Sequence, residues 1–143
     1  MSHPIAVFET TKGKFKAMLY DKEAPVTAGN FMSLVKSGFY DGLTFHRYEP
    51  GFVIQGGDPK GDGTGGSEKS IPLEIVPSLK HGLGALSMAR TSDPDSATSQ
   101  FFIVIGEAGH LDNQYAVFGQ VLEGGEIAMR LRKGDKMEKV YLE

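Results

Sequence analysis

The chain has 143 residues, 40% of them hydrophobic, which is one domain's worth of sequence with enough apolar material for a core. Its formal net charge is −3 with no run of five like charges, so there is no electrostatic footprint for nucleic acid or an anionic membrane. Cysteine is absent, which excludes disulfides and thiolate chemistry, and no apolar stretch approaches the ~18 residues of a membrane span.

The first residues carry no basic n-region and no long apolar h-region. The expectation is one domain over residues 1–143, cytoplasmic and monomeric. Nineteen glycines and seven prolines supply the many turns that an all-β fold requires.

In chain order, Ile5 to Thr10 and Phe15 to Tyr20 alternate, with Lys12-Gly13-Lys14 between them, which predicts a hairpin. Phe15, Ala17 and Leu19 are its core face. Ala24 to Gly38 breaks that period. Ala24, Thr27, Ala28, Phe31, Leu34 and Val35 follow helical spacing, Pro25 suits the first turn and Gly38 the position past the end. Gly29 inside costs about 1 kcal/mol relative to alanine, so close packing is expected there.

The central stretch is Phe45-His46-Arg47-Tyr48-Glu49-Pro50-Gly51-Phe52-Val53-Ile54-Gln55-Gly56-Gly57-Asp58. Pro-Gly marks a turn between two strands. Val53 and Gln55 share one face of the second strand and Ile54 takes the other. Their face is either a solvated surface or a lined site, with Arg47 upstream on the partner strand.

Pro59 to Lys69 reads as a loop. Within it Gly61, Gly63 and Gly66 satisfy G-x-G-x-x-G, but a dinucleotide site needs a helix to open at that motif, and Pro72 and Pro77 follow instead. The glycines are expected to let the loop lie close beside a bound chain. Gly84 to Ala89 and Gln100 to Ile105 read as strands, joined through Asp93-Pro94-Asp95-Ser96, a solvated turn. Gln100 and Phe102 share one face; Phe101, Ile103 and Ile105 face the core. Val117 to Val121 is a further strand, Glu126 to Lys133 a short helix acidic at its start and basic at its end, and Met137 to Leu142 a last alternating strand. Full closure removes sheet edges. The pattern predicts a mainly β fold, a closed eight-stranded antiparallel barrel capped by two α-helices.

Several chemistries drop out. There is no G-x-S-x-G elbow. His3, His46, His81 and His110 lack zinc-ligand spacing, so no metal and no cofactor is expected. His46 is placed for function, yet a hydrogen-bonded structural histidine is the stronger expectation there.

Three stretches, Phe45–Asp58, Gly84–Thr91 with Ser99–Ile105, and His110–Gly119, together resemble the cyclophilin family of peptidyl-prolyl cis-trans isomerases, most closely in Ser87-Met88-Ala89-Arg90-Thr91 and Ser96-Ala97-Thr98-Ser99-Gln100-Phe101-Phe102. The match runs the length of the chain and looks most like the short prokaryotic type. The resemblance implies an enzyme that assists folding by rotating X-Pro bonds in proline-containing polypeptides. In it Arg47 and Gln55 are catalytic, Gln55 holding the peptide backbone near the rotating carbonyl. Phe52, Val53, Phe102 and Leu111 form the proline pocket. Arg90 offers its main chain, Gly63, Ala89, Thr91 and Gln100 line the neighbouring groove, and Tyr115 stands at the pocket mouth.

The chemistry suits these residue types. X-Pro rotation breaks amide resonance, against a peptide-bond barrier of about 18–20 kcal/mol. A fixed cation or donor near the nitrogen favours the twisted state over either planar one. Three positions depart from the common family pattern. His110 stands in place of a tryptophan that contacts cyclosporin, Val53 in place of methionine and Arg90 in place of asparagine. Weak cyclosporin binding is therefore expected. The alternative reading is a non-catalytic module that holds Pro-containing segments.

Overall fold

The alternating segments of the sequence become eight strands that close on themselves. In the computed structural model, which describes residues 3–143, these are β1 (Ile5–Thr10), β2 (Gly13–Leu19), β3 (Leu43–Glu49), β4 (Val53–Gly56), β5 (Ala85–Met88), β6 (Phe101–Val104), β7 (Val117–Glu123) and β8 (Lys136–Leu142). Helix α1 spans Pro25–Lys36, helix α2 spans Gly125–Met129, and one 3-10 turn spans Gly109–Leu111. The barrel order is β1-β2-β7-β5-β6-β4-β3-β8, with β8 pairing back to β1 and every pairing antiparallel. The expected fold class is the observed one.

Turn chemistry sets the registers. Thr10 faces Gly13 across β1 and β2, so the hairpin turns on Thr11-Lys12, one residue earlier than the sequence suggests. Between β3 and β4, Phe52 N–H donates to Glu49 O at 3.0 Å, and Gly51 takes φ +70° after Pro50. That is a type II turn, which needs a positive φ at its third residue.

Packing divides the strands into two faces. Inside the barrel Phe8 and Phe15 stack with centroids 4.6 Å apart, and Phe31 from α1 lies 5.4 Å from Phe101 and 4.9 Å from Phe118. These rings are buried, each contributing about 1.5–3 kcal/mol of transfer free energy. The interior is therefore filled and holds no ligand space. A second apolar cluster sits on the outside, built on Val53, Ala85, Phe102, Val104, Ala108 and Val117. Neighbouring residues Phe101 and Phe102 serve the two faces separately, as strand alternation requires.

Helix α1 packs against β7 and β8. Its first N–H groups lack a side-chain cap from Ala24; instead the Glu74 carboxylate accepts from Val26 N–H at 3.2 Å and Thr27 N–H at 2.8 Å. Gly38 follows the helix with φ +77°. Gly29 does not serve close packing: a methyl group built there meets nothing within 4 Å.

Helix α2 is shorter than expected. The stretch Glu126–Lys133 is helical only to Met129. Leu131 is then fully buried, and the Asp135 carboxylate accepts from Arg132 N–H at 2.8 Å, while Arg132 Nη1 donates to Met129 O and Leu131 O. Burying Leu131 and tying this turn outweigh another helical turn. The basic residues belong to the turn into β8.

Candidate active site

The outer apolar cluster carries a cavity of about 210 Å³. Val53 and Phe102 are its buried floor, with Phe52, Leu111 and Tyr115 around them and Arg47 and Gln55 at the rim. The floor is fixed by register, since β4 pairs with β6 so that Gln55 faces Phe102 and Val53 faces Val104. Tyr115 meets Phe102 edge-on at 6.0 Å.

Polar groups along the rim form a chain. Arg47 faces Gln55 across β3 and β4 and donates from Nη1 to Gln55 Oε1 at 3.3 Å. Gln55 Nε2 donates to Gln100 Oε1 at 3.0 Å. Gln100 Nε2 donates to Gly65 O at 2.7 Å and Gly63 O at 3.1 Å. The two side-chain amides are thereby oriented end to end, and Arg47 keeps most of its donors free. Its Nε lies 3.7 Å from Glu49 Oε2, a partly exposed pair.

A second cavity of about 350 Å³ adjoins the first. Gln55, Ala89 and Arg90 line both; Gly63, Thr91 and Gln100 belong to the second. Its far wall, Thr64 to Ser67 with Ser96 and Thr98, has no signature in the sequence beyond small polar residues. The wall is the glycine loop, held by Asp58. The buried Asp58 carboxylate accepts from the N–H groups of Lys60 at 2.9 Å, Asp62 at 3.2 Å and Gly63 at 2.6 Å. Burial pushes its pKa up, but these backbone donors outweigh burial and hold it below the usual carboxylate range.

Of the site residues expected from sequence, all but His110 line one of the two cavities. The exposed His110 ring instead stacks on Phe52 at 5.3 Å. Two cations stand beside the pocket, Arg47 and Arg90. The Arg90 guanidinium donates from Nε and Nη2 to Gln114 O at 3.2 and 2.8 Å and from Nη1 to Thr91 O at 2.9 Å. It lies over the Tyr115 ring, 4.6 Å from the centroid.

The structural histidine is not His46. Its Nδ1 is buried without a hydrogen-bond partner; burial pushes its pKa down, with Asp58 opposing. His81 takes that part. It is buried, with Nδ1 2.9 Å from Asp112 Oδ1 and Nε2 2.9 Å from Ser87 Oγ. The neutral ring with its proton on Nδ1 satisfies both contacts, Ser87 donating to Nε2. Burial holds the His81 pKa below the ordinary value against the pull of Asp112. Ser87 is fully buried, so this Asp–His–Ser arrangement is no nucleophile. Its ring lies 5.9 Å from Phe102, nearly parallel, and backs the pocket floor. Sequence spacing hides this group, because Asp112 lies 31 residues from His81.

Asp93 and Asp95 sit in the expected turn, Asp95 accepting from Leu73 N–H at 3.0 Å. The three glycines of the G-x-G-x-x-G match lie in a loop that opens no helix. Around the proline-sized cavity there are two cations, Arg47 and Arg90, one amide, Gln55, and apolar surface, with no carboxylate or histidine among the described residues. Such a site binds and orients an amide and stabilises charge redistribution; it has no group to move a proton.

A family model described as cyclophilin type peptidyl-prolyl cis-trans isomerase/CLD matches residues 5–142. A peptidyl-prolyl cis-trans isomerase B of Bacillus subtilis is 47% identical over 131 residues, covering 91% of each chain. A peptidyl-prolyl cis-trans isomerase of Synechococcus elongatus is 44% identical over 139 residues, covering 96% of this chain and 94% of its own. Among solved structures, a cyclophilin type peptidyl-prolyl cis-trans isomerase of Cryptosporidium parvum aligns with TM-score 0.91 at 30% identity, covering 98% of this chain and 97% of that one. The same protein in the presence of the dipeptide Ala-Pro aligns with TM-score 0.89 at 31% identity, covering 97% and 98%.

Proposed function

The chain belongs to the cyclophilin-type peptidyl-prolyl cis-trans isomerases, and we propose that Arg47 is the group through which it accelerates rotation about X-Pro bonds. The enzyme rotates such bonds in proline-containing polypeptides and so assists folding. Rotation takes tens to hundreds of seconds without a catalyst.

The observation that carries the role of Arg47 is its position. It stands at the rim of a cavity that joins an apolar floor to a guanidinium with free donors, tethered through Gln55. In the ground state the proline nitrogen shares its lone pair with the carbonyl. In the twisted state the pair is localised and accepts a hydrogen bond. A guanidinium aimed at that nitrogen stabilises the twisted state alone, which lowers the barrier without tightening ground-state binding. Phe52, Val53, Phe102 and Leu111 hold the ring by apolar contact, and Gln55 holds the backbone. Gly63, Ala89, Thr91, Gln100 and Tyr115 border the chain on either side.

We propose also that residues 1–143 form a single domain acting as a cytoplasmic monomer. Among the described residues no helix is long and apolar enough to cross a membrane. The test is exchange spectroscopy on a short X-Pro peptide. Faster cis-trans exchange with the protein present is the expected result; binding without acceleration makes it a holding module instead.

A further inference from the structure

The two adjoining cavities share an electrostatic character that X-Pro rotation does not require. Among the described residues their only charged lining residues are Arg47 and Arg90, and no aspartate or glutamate lines either one, in a protein whose net charge is −3. Arg47 has a carboxylate neighbour in Glu49, whereas Arg90 forms no ion pair among the described residues.

Arg90 is also held still. Its three hydrogen bonds all go to backbone carbonyls, Gln114 O and Thr91 O, and its plane rests on Tyr115. A guanidinium has five N–H donors, so one remains on each terminal nitrogen. Two remaining donors on a clamped plane can be accepted by a carboxylate, and little side-chain entropy is left to lose on binding. Neutral carbonyl acceptors cancel none of its charge.

Position decides whose carboxylate. Ala89, Arg90 and Gln55 line both cavities, so a peptide seated with proline in the first and continuing into the second passes Arg90. We propose that Arg90 is a specificity-determining residue, selecting substrates with an acidic side chain close to the proline on the segment that enters the second cavity. The inference rests on the isomerase reading of the site. It adds a substrate class, acidic X-Pro segments, that the reaction itself does not demand.

The test uses a set of short peptides in which one residue flanking proline is Glu, Gln or Lys, moved one position at a time across both flanks. The quantity read is the ratio of kcat/KM for the Glu peptide to that for its Gln isostere. A partly exposed ion pair of about 1 kcal/mol corresponds to roughly a five-fold ratio. The parent protein is expected to show about that ratio at one position, with Lys below Gln there. Added salt at 1 M should shrink it, since exposed charges are then screened beyond about 3 Å.

Arg90→Gln should bring the ratio to about one at that position. Each variant is compared with itself, so any general loss of activity cancels. A ratio near one at every position in the parent overturns the proposal, as does an unchanged ratio in Arg90→Gln. A parent protein that accelerates none of the peptides overturns the isomerase reading instead, so the two failures are distinguishable.

Discussion

Arg47 and Gln55 face one another across β3 and β4, and the guanidinium at the rim of the apolar cavity reaches the amide oxygen at 3.3 Å. If that guanidinium acts only on the twisted amide, its loss shows in turnover and not in ground-state binding. Arg47→Ala should lower kcat by about 10²–10³, the usual cost of one preorganised charge-stabilising donor. Arg47→Lys should restore part, because an ammonium cannot copy the planar fork. Exchange NMR gives affinity and rate from one sample; a rate lost only through weaker binding removes Arg47 from the mechanism.

The amide chain beyond Arg47 supports a second expectation. Gln100→Leu keeps the side-chain bulk but cuts the links to Gln55 and to the carbonyls of Gly63 and Gly65. Each neutral hydrogen bond is worth about 0.5–1.5 kcal/mol. Turnover should fall roughly three- to ten-fold, and the amides of the 61–66 loop should exchange faster with solvent. Unchanged turnover with faster exchange separates the loop from the catalytic rim.

Acidity should act on stability before it acts on the reaction. An unfolded histidine takes up a proton near pH 6.5, whereas buried His81 resists it in the fold. The unfolded chain therefore binds more protons as pH falls, and stability falls with it. This contribution is complete above about pH 7 and is lost through pH 6.5 and below, with a slope of at most ~1.4 kcal/mol per pH unit for one proton. His46 is lowered too and adds in the same direction. Thermal melts between pH 7.5 and 5 should show Tm falling, less steeply in His81→Gln. Turnover per folded molecule should stay level from about pH 6 to 8, since arginine does not titrate there. An identical slope in the variant would remove His81 as the source.

Cyclosporin binding should be weak. His110 stands where the family pattern has tryptophan, and its ring is used in stacking on Phe52 rather than lining the cavity. His110→Trp offers more apolar area and should tighten inhibition. Nanomolar inhibition of the unmodified protein, about −12 kcal/mol, would show that this position contributes little.

Much of this was legible in the sequence, for reasons visible in particular residues. Phe101 and Phe102 read correctly as one ring inside and one outside because period two leaves no choice. Pro50-Gly51 read correctly because one turn type fits it. Gly29 misled, since a helical glycine has causes other than packing. The side-chain contacts of His81 and Arg90 were not legible, for a different reason. Their contacts depend on Asp112, Gln114 and Tyr115, partners distant in sequence that the fold brings near, and no local pattern encodes that meeting.

Barrel closure itself sets a timetable. Ala6 pairs with Leu142, nearly the whole sequence away, and β3 also leans on β8. A ribosome adding about 5–20 residues per second leaves the first strand waiting on the order of ten seconds for the last. Until then β1 and β3 each lack a neighbour, and the hairpin carrying Arg47 has no complete wall behind it. Non-local β topologies then fold in milliseconds to seconds. A nascent copy of this folding catalyst is thus inactive until β8 has been made, and its own strand edges stay exposed for that interval.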